Sequence, residues 1–277
     1  MVTPTPPAPH DAATVVLLRD RERPRVLIAR RSPKQRFLGG YHAFAGGRMD
    51  PQDAGVPLRG ASGEEAVFRV VALRELLEET GILIGADADA AVRQRLRAGL
   101  QQGRALAELL QAERLELDAA PLERCGRWVT PPFSPQRFHT WFFLAWLPAG
   151  QEAEVSGELE EPDWLAPAAI LERWERREIL LAPPTLFTLR ALAEGVEQAA
   201  QKLERRTGDQ PIRKLPFRPD VMVFPQRTPT RPPATHTNAY LLGRAHSVAV
   251  DPGSASLDEL EPLAEEIQSR ISTGGAL

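Results

Sequence analysis

The chain has 277 residues and carries 34 lysines and arginines against 37 aspartates and glutamates, so its formal net charge is -3. This near-neutral balance offers no electrostatic basis for nucleic-acid binding, and no uncharged apolar window is long enough to cross a membrane. Because 43% of the residues are hydrophobic, the chain can bury a large core, which excludes a wholly disordered protein. The single cysteine, Cys125, excludes an internal disulfide and a cysteine-rich zinc site.

The first residues are rich in proline and contain no apolar stretch of the kind found in a secretory signal. We therefore expect residues 1–11 to be disordered and the protein to be cytoplasmic. Neither a nucleic acid nor a membrane is expected among its partners.

Two short β-type runs, 13–18 and 25–29, come next and predict a hairpin. Further on, Ser62 and Glu65 have the spacing of a capping box and predict the start of a helix. Gly81 is placed to end that helix.

The rest of the first 206 residues alternates between strand and helix patterns. Apolar, aromatic and β-branched runs predict strands, and Ala/Leu/Arg-rich runs predict helices. The predicted strands are 82–84, 128–130 and 138–147, and the helical regions are 87–118, 167–176 and 184–205. This order predicts an α/β (α+β) layered domain that ends near residue 206.

Three glutamates share one face of the predicted helix, because Glu75, Glu78 and Glu79 fall within about 100° of one another around its axis. The opposite face is apolar and should pack on the sheet; it consists of Ala66, Val70, Leu73 and Leu77. Like charges at this spacing destabilise a helix, so a positive partner is expected. A hard divalent cation, Mg²⁺ or Mn²⁺, is one answer, and an ordinary solvated acidic face is the alternative.

The full string around these glutamates is far more specific. Residues 74–82 read Arg-Glu-Leu-Leu-Glu-Glu-Thr-Gly-Ile, and such a pattern arises by chance about once in ten million start positions. The string resembles the second half of the Nudix box, the signature loop-helix of the Nudix hydrolase superfamily. The resemblance implies a mixed β-sheet sandwiched between helices. Similarity to the family extends over most of residues 12–206, which we interpret as a Nudix hydrolase domain.

The first half of the box departs from the family pattern. Counting from Gly47 places Asp53 where the family has a glutamate, and 20 residues rather than seven then precede Arg74. We infer an insertion of 13 residues in this loop. Glu64 and Glu65 are alternatives for the position of Asp53.

The resemblance also implies roles for the box residues. Glu78 and Glu79 would hold the Mg²⁺ or Mn²⁺ ion, with help from Glu75 and the backbone carbonyl of Gly47, and Arg74 would orient the carboxylates. The reaction is attack of a metal-activated water on one phosphorus of a diphosphate. Two sources of the general base stay open. One is Glu75, and the other is a later acid among Glu158, Glu160 and Glu161.

Residues upstream of the box are similar to the Nudix branch that includes the peroxisomal coenzyme A diphosphatases. The residues that we expect to bind substrate are Arg31, His42, Phe44 and Arg137. The expected substrate is a small molecule with a nucleoside-linked diphosphate, such as coenzyme A or an acyl-CoA. His139 stands where this branch has an acidic residue, and we interpret it as a structural histidine. The resemblance leaves a homodimer open.

The C-terminal part has a different character. After a Pro-rich linker at 207–234, residues 235–277 resemble the first strands and helix of a metallo-β-lactamase-fold domain. None of the five histidines has the spacing of that family's zinc motif, so no zinc site is expected. We interpret the segment as a truncated, β-rich appendage that packs on the first domain or is poorly ordered. An ordinary two-stranded appendage of the first domain is the alternative.

Two rival functions follow from these departures. The chain is either an enzyme or a catalytically weak, ligand-binding or regulatory Nudix domain fused to a metallo-β-lactamase-fold partner. In a third interpretation, the function belongs to that partner domain. The presence of Glu75, Glu78 and Glu79 together favours the enzyme.

Overall fold

The computed structural model of the protein describes residues 7–131, 134, 136–206, 213–230 and 236–274. Residues 1–6 of the segment predicted to be disordered, 1–11, lie outside the described residues. The first strand begins at His10, within that segment. The strands are β1 (His10–Arg19), β2 (Arg25–Arg31), β3 (Tyr41–Ala43), β4 (Ala45–Arg48), β5 (Leu58–Arg59), β6 (Leu117–Asp118), β7 (Glu123–Val129), β8 (Phe138–Trp146), β9 (Leu159–Leu165), β10 (Leu180–Leu181), β11 (Leu215–Arg218), β12 (Val221–Arg227), β13 (His236–Gly243) and β14 (Ser247–Val250). The α-helices are α1 (Gly63–Thr80), α2 (Ala90–Gln101), α3 (Leu106–Glu113), α4 (Pro167–Glu175), α5 (Pro183–Glu194), α6 (Val196–Arg206) and α7 (Leu257–Ser272), and Pro51–Gly55 forms a 3₁₀ helix.

A mixed eight-stranded sheet forms the centre of the molecule. Its strands follow the order β10-β3-β2-β1-β8-β7, with β4 also paired to β1 and β9 to β2. Strand β1 runs antiparallel to β2, which confirms the predicted hairpin, and parallel to β8. The sheet therefore combines local and long-range pairing around β1.

Helices cover both faces of this sheet. Val15 and Leu17 of β1 face the core shared with α1, α2 and α3, whereas Val16 and Leu18 face the core shared with α4, α5 and α6. A strand that is buried on both faces needs consecutive apolar residues, which explains the unbroken apolar run in β1. The predicted mixed sheet between helices is confirmed.

Helix α1 ends as predicted, because Gly81 adopts a left-handed φ of 73° and donates its N–H to the Leu77 carbonyl. The start of the helix differs from the prediction. Ser62 is the N-cap but makes no side-chain capping bond. The Glu65 carboxylate instead accepts hydrogen bonds from the Arg69 guanidinium one turn later. The predicted capping box is therefore absent from this helix.

Two other predicted elements were wrong in detail. Residues 82–84 are buried but form no strand, because the main chain of Leu83 bonds to the Gln151 side-chain amide instead of to a neighbouring strand. The predicted helix over 184–205 is two helices, α5 and α6, with a break at Gly195. An apolar pattern reports burial, and burial alone does not require strand pairing.

A second, four-stranded sheet of order β11-β12-β13-β14 follows, with α7 packed on it. Strands β11 and β12 lie inside the stretch that the sequence predicted to be a linker. The prolines there are compatible with strands, since Pro216 lies at a bulge on the edge strand and Pro225 lies beyond the end of the β11 pairing. The predicted linker thus contributes half of this sheet.

The second sheet has a small core of its own and contacts the first region. Its buried residues are Phe224, Ala239, Leu241 and Leu263. Two ion pairs, Arg177 with Asp220 and Arg244 with Glu175, join it to the region around α4. Its relation to the metallo-β-lactamase fold and the domain boundaries stay predictions. Within the described part of the chain, no helix has the length and apolarity that a bilayer crossing would require.

Candidate active site

A cleft of about 830 Å³ lies over the C-terminal half of α1. Glu75, Glu78 and Glu79 line it from the helix, and Gly46 and Gly47 of β4 line it next to them. The structure therefore brings together the residues that the sequence singled out for a metal site. Their roles stay predictions until they are measured.

The two glycines let strand β4 approach helix α1 and strand β1 closely. The Gly46 N–H donates to Glu79 Oε2 at 2.8 Å. A Cβ atom on Gly47 would stand 2.3 Å from Glu75 Oε1, and one on Gly46 would stand 2.4 Å from the Ala13 carbonyl oxygen. A larger residue at position 47 would therefore collide with the Glu75 carboxylate, and one at position 46 would collide with strand β1.

Asp53 fills the position that the sequence left in doubt. Its carboxylate accepts hydrogen bonds from Nε and Nη2 of Arg74 at 2.7 and 3.0 Å, and its side chain is only 2% exposed. Neither alternative takes this place, because Glu64 is exposed and Glu65 bonds to Arg69. The registration of the box from Gly47 to Asp53 is thus the one that the geometry supports.

Arg74 in turn links this anchor to the acidic face. Its Nη1 donates to Glu75 Oε1 at 2.9 Å and lies 3.5 Å from Glu78 Oε2, and its Nη2 donates to the Arg48 carbonyl at 2.8 Å. One guanidinium therefore fixes the 3₁₀ helix, strand β4 and two glutamates relative to one another.

Burial makes the charged forms of two glutamates unfavourable. It raises the pKa of Glu75 to about 7, an effect that Arg74 opposes and the Glu78 carboxylate reinforces. The pKa of Glu79 is raised well above its ordinary value by burial and by the charge of Glu75, against the hydrogen bond from Gly46. Among the described residues, Arg74 is the only cation that pairs directly with Glu75 and Glu78, and Asp53 already pairs with it.

This donor set fits a hard divalent cation in its chemistry. Carboxylate oxygens and a backbone carbonyl are the ligands that Mg²⁺ and Mn²⁺ prefer, and a cation would offset the repulsion among the three glutamates. Over the described ranges, no three His, Cys, Asp or Glu side chains already converge as a metal cage. Instead, Glu75 accepts a hydrogen bond from Arg74, and Glu79 accepts one from the Gly46 N–H.

Removal of divalent cations with EDTA is expected to lower the melting temperature more at about pH 8 than at about pH 5.5. The pKa of Glu75 is raised from its ordinary value of 4.5 to about 7, so folding favours its protonated form. The stability contributed by protonated Glu75 is fully present below about pH 4.5 and is lost as the pH rises through about 7. Above that pH, a bound cation would take over the stabilising role of the proton. Thermal melts with Mg²⁺ and with EDTA measure the difference, and Glu75→Gln should flatten its pH dependence. An EDTA effect that is larger at the lower pH would contradict this prediction.

The predicted substrate residues do not all reach the cleft. Arg31 lines it and forms an ion pair with Glu158 at 3.0 Å. Phe44 was wrongly predicted, because its side chain is 4% exposed and packs in the core beneath α4 and α5, on the opposite face of the sheet. Adjacent residues of an extended chain point to opposite faces, so Ala45 packs toward α1 and Phe44 away from it.

His42 and Arg137 also lie outside the cleft lining. Burial, together with the charges of Arg173 and Arg30, lowers the pKa of His42. The Arg137 guanidinium donates to the carbonyl oxygens of Thr130 and Pro7 at 3.0 and 2.8 Å, which makes its contacts structural.

Only one of the three candidate distal acids lines the cleft. Glu158 lines the cleft, whereas Glu160 and Glu161 accept hydrogen bonds from Arg30 outside it. His139 is a satisfied structural histidine, as predicted, because its two ring nitrogens contact Asp11 Oδ1 and the Trp141 indole N–H.

Sequence reasoning missed several residues of the cleft. Lys34 and Arg36 line its basic side next to Arg31, and the rings of Phe37 and Phe138 pack in a tilted arrangement with centroids 5.0 Å apart. The dense basic run 30–36 in a chain with few lysines was the available signal for the cations.

Comparison with known proteins agrees with this geometry. The NUDT19 Nudix domain family matches residues 59–192, and the NUDIX domain family matches residues 8–102. A crystal structure of a NUDIX hydrolase from Alicyclobacillus acidocaldarius is 33% identical, with a TM-score of 0.62, and the match covers 73% of this chain and 98% of that one. The chain belongs to the Nudix hydrolase family.

Curated relatives of this Nudix chain are more distant. The acyl-coenzyme A diphosphatase NUDT19 of Homo sapiens is 26% identical over an alignment of 231 residues, and the match covers 61% of this chain and 60% of that protein. The protein of the same name from Gallus gallus is 30% identical over an alignment of 169 residues, and the match covers 50% of this chain and 43% of that protein. The chain thus spans between two fifths and three fifths of the length of these relatives.

Proposed function

We propose that the protein hydrolyses a diphosphate bond in a nucleoside diphosphate derivative, with Mg²⁺ or Mn²⁺ as cofactor and coenzyme A or an acyl-CoA as the substrate. The observation that carries this proposal is the polarity of the cleft. Glu75, Glu78 and Glu79 make its floor acidic, and Arg31 and Lys34 make one side basic. An acidic floor suits a cation, and a basic side suits the phosphates that the cation would neutralise.

The size of the cleft is compatible with such a substrate. Its volume of about 830 Å³ lies within the usual range of small-molecule sites, roughly 300–1,000 Å³. The Phe37–Phe138 pair adds an apolar aromatic surface at the edge of the cleft. Two curated relatives are named acyl-coenzyme A diphosphatases, which supports the choice of substrate.

Glu75, Glu78, Glu79 and the Gly47 carbonyl would hold the cation, which supplies charge neutralisation and a more acidic water. Arg74, fixed by Asp53, keeps Glu75 and Glu78 in place. In the reaction, a water oxygen bonds to one phosphorus, the bridging P–O bond breaks, and a carboxylate accepts the proton of the water. Glu75 and Glu158 are the candidates for this base, since both line the cleft.

A substrate panel tests the proposal. The panel consists of coenzyme A, ADP-ribose, NADH and dinucleoside polyphosphates, each incubated with Mg²⁺ or with EDTA. We expect coenzyme A to be cleaved into two phosphate-terminated products, with Mg²⁺ only. Tight binding of these compounds without turnover would favour the regulatory alternative, and no product from any compound would overturn the proposed enzyme. The cytoplasmic location and a homodimer stay predictions.

A further inference from the structure

One arginine outside the Nudix box holds the end of the glutamate helix. Arg97 of α2 is 14% exposed, and its Nε and Nη2 donate to the carbonyl oxygens of Glu78 and Glu79 at 3.0 and 3.1 Å. These carbonyls belong to the last turn of α1, where the C=O groups have no N–H donor within the helix. A guanidinium there also offsets the negative end of the helix dipole, where the glutamates add further negative charge.

Gly81 gives Arg97 the room to approach. A Cβ atom at position 81 would stand 3.3 Å from Arg97 Nη1, within the range where a neighbour must move aside. The glycine therefore serves two needs at once, the left-handed turn that ends α1 and the close packing of the guanidinium on that turn.

The same guanidinium also binds the segment that leads to Glu158. Arg97 Nη2 donates to the Glu154 carbonyl and to Ser156 Oγ. The backbone N–H groups of Glu154 and Ser156 in turn donate to the carbonyl oxygens of Thr80 and Glu79. Arg97 thus lies between the two peptide segments that carry the acidic residues of the cleft.

Gln101, one turn along α2, reinforces this connection. Its Nε2 donates to Ser156 Oγ at 3.1 Å, and its side chain lines the cleft. Residues 97 and 101 share one face of α2 because they are four positions apart. Arg95, on another face, is 57% exposed and pairs with Glu113 away from the site.

We infer that Arg97 is a positioning residue for catalysis, one that fixes Glu78 and Glu79 relative to the segment carrying Glu158. This inference rests on the proposed function, and it adds a determinant from α2, outside the box. Arg97 does not line the cleft. It acts through the backbone of the residues that do.

Replacement of Arg97 should therefore affect metal use and turnover more than substrate affinity. For Arg97→Ala, we expect kcat to fall about 10- to 100-fold and the Mg²⁺ concentration for half-maximal activity to rise about tenfold, as is typical for residues that support metal ligands. KM should change little. Arg97→Lys keeps the charge but not the planar set of donors, so it should recover only part of kcat. Arg95→Ala is the matched control and should match the wild type.

Two further measurements on the full chain make the test independent of turnover. Amide exchange at residues 154 and 156 should be faster in Arg97→Ala than in the wild type, and Mn²⁺ binding, followed by electron paramagnetic resonance, should be about tenfold weaker. Wild-type kcat and Mg²⁺ dependence in Arg97→Ala, or equal losses in Arg95→Ala, would overturn the inference.

A lack of turnover by the wild type would contradict the proposed function alone. Weaker Mn²⁺ binding with faster exchange in Arg97→Ala would then still support the positioning role, and unchanged values of both would overturn it. A kcat loss that only follows the fraction of unfolded protein would also overturn it.

Discussion

Glu78→Gln is expected to lower kcat about 100-fold or more, equivalent to about 3 kcal/mol in the activation barrier. The substitution replaces a carboxylate by an amide of the same shape and so removes one negative charge from the proposed metal site. Glu78 is also the most exposed of the three glutamates, at 34%, and among the described residues its carboxylate has one ionic partner, Arg74 at 3.5 Å. The fold should therefore be preserved. Steady-state kinetics at saturating Mg²⁺, together with a thermal melt, provide the measurement.

Glu64→Gln is the matched control, since Glu64 lies in the first turn of the same helix and is exposed to solvent away from the cleft. We expect this variant to keep wild-type kcat. Equal kcat in the wild type and Glu78→Gln would show that the carboxylate has no part in the reaction. A similar loss in Glu64→Gln would point to a general effect of helix charge.

Asp53→Asn is expected to lower the free energy of unfolding by about 3 kcal/mol, because it removes the most buried carboxylate partner of Arg74 and leaves only Glu75 and Glu78 to compensate that buried charge. Asp53 is 2% exposed and Arg74 is 12% exposed. Asp53 also accepts the Asp50 N–H and so closes the 3₁₀ helix. Turnover should fall as well, since Arg74 would no longer be fixed beside Glu75. Urea unfolding at neutral pH measures the stability.

The Arg59–Asp118 pair offers the matched control, because it has a similar pair of hydrogen bonds at the surface, with Arg59 73% exposed. Asp118→Asn should therefore cost much less stability than Asp53→Asn. If the two variants unfolded at the same urea concentration, burial of Asp53 would not be the source of its effect.

The sequence predicted the parts of this molecule in which local pattern and tertiary role coincide. The apolar run of β1 predicts a strand, and it is a strand because both of its faces are buried. The spacing of Glu75, Glu78 and Glu79 predicts a shared helix face, and the structure has that face with the glycines of β4 opposite. The final glycine of the box also ends α1 as expected.

Other features depend on contacts between distant parts of the chain. The role of Asp53 could not be predicted because the insertion separates it from Arg74 along the chain. The two side chains meet only when the loop is folded. Phe44 lies two residues before Gly46, which lines the cleft, but alternation along the extended chain turns its side chain to the opposite face of the sheet. Arg97 carries no signal in the sequence, because its importance comes from the packing of α2 against the end of α1.

The most direct test of the metal site is the anomalous difference map of a crystal grown with Mn²⁺. We predict a single strong peak in the cleft, within about 2.0–2.4 Å of carboxylate oxygens from Glu75, Glu78 and Glu79 and of the Gly47 carbonyl oxygen. A map with no peak in the cleft, or with Mn²⁺ bound only by acidic residues elsewhere on the surface, would contradict the account.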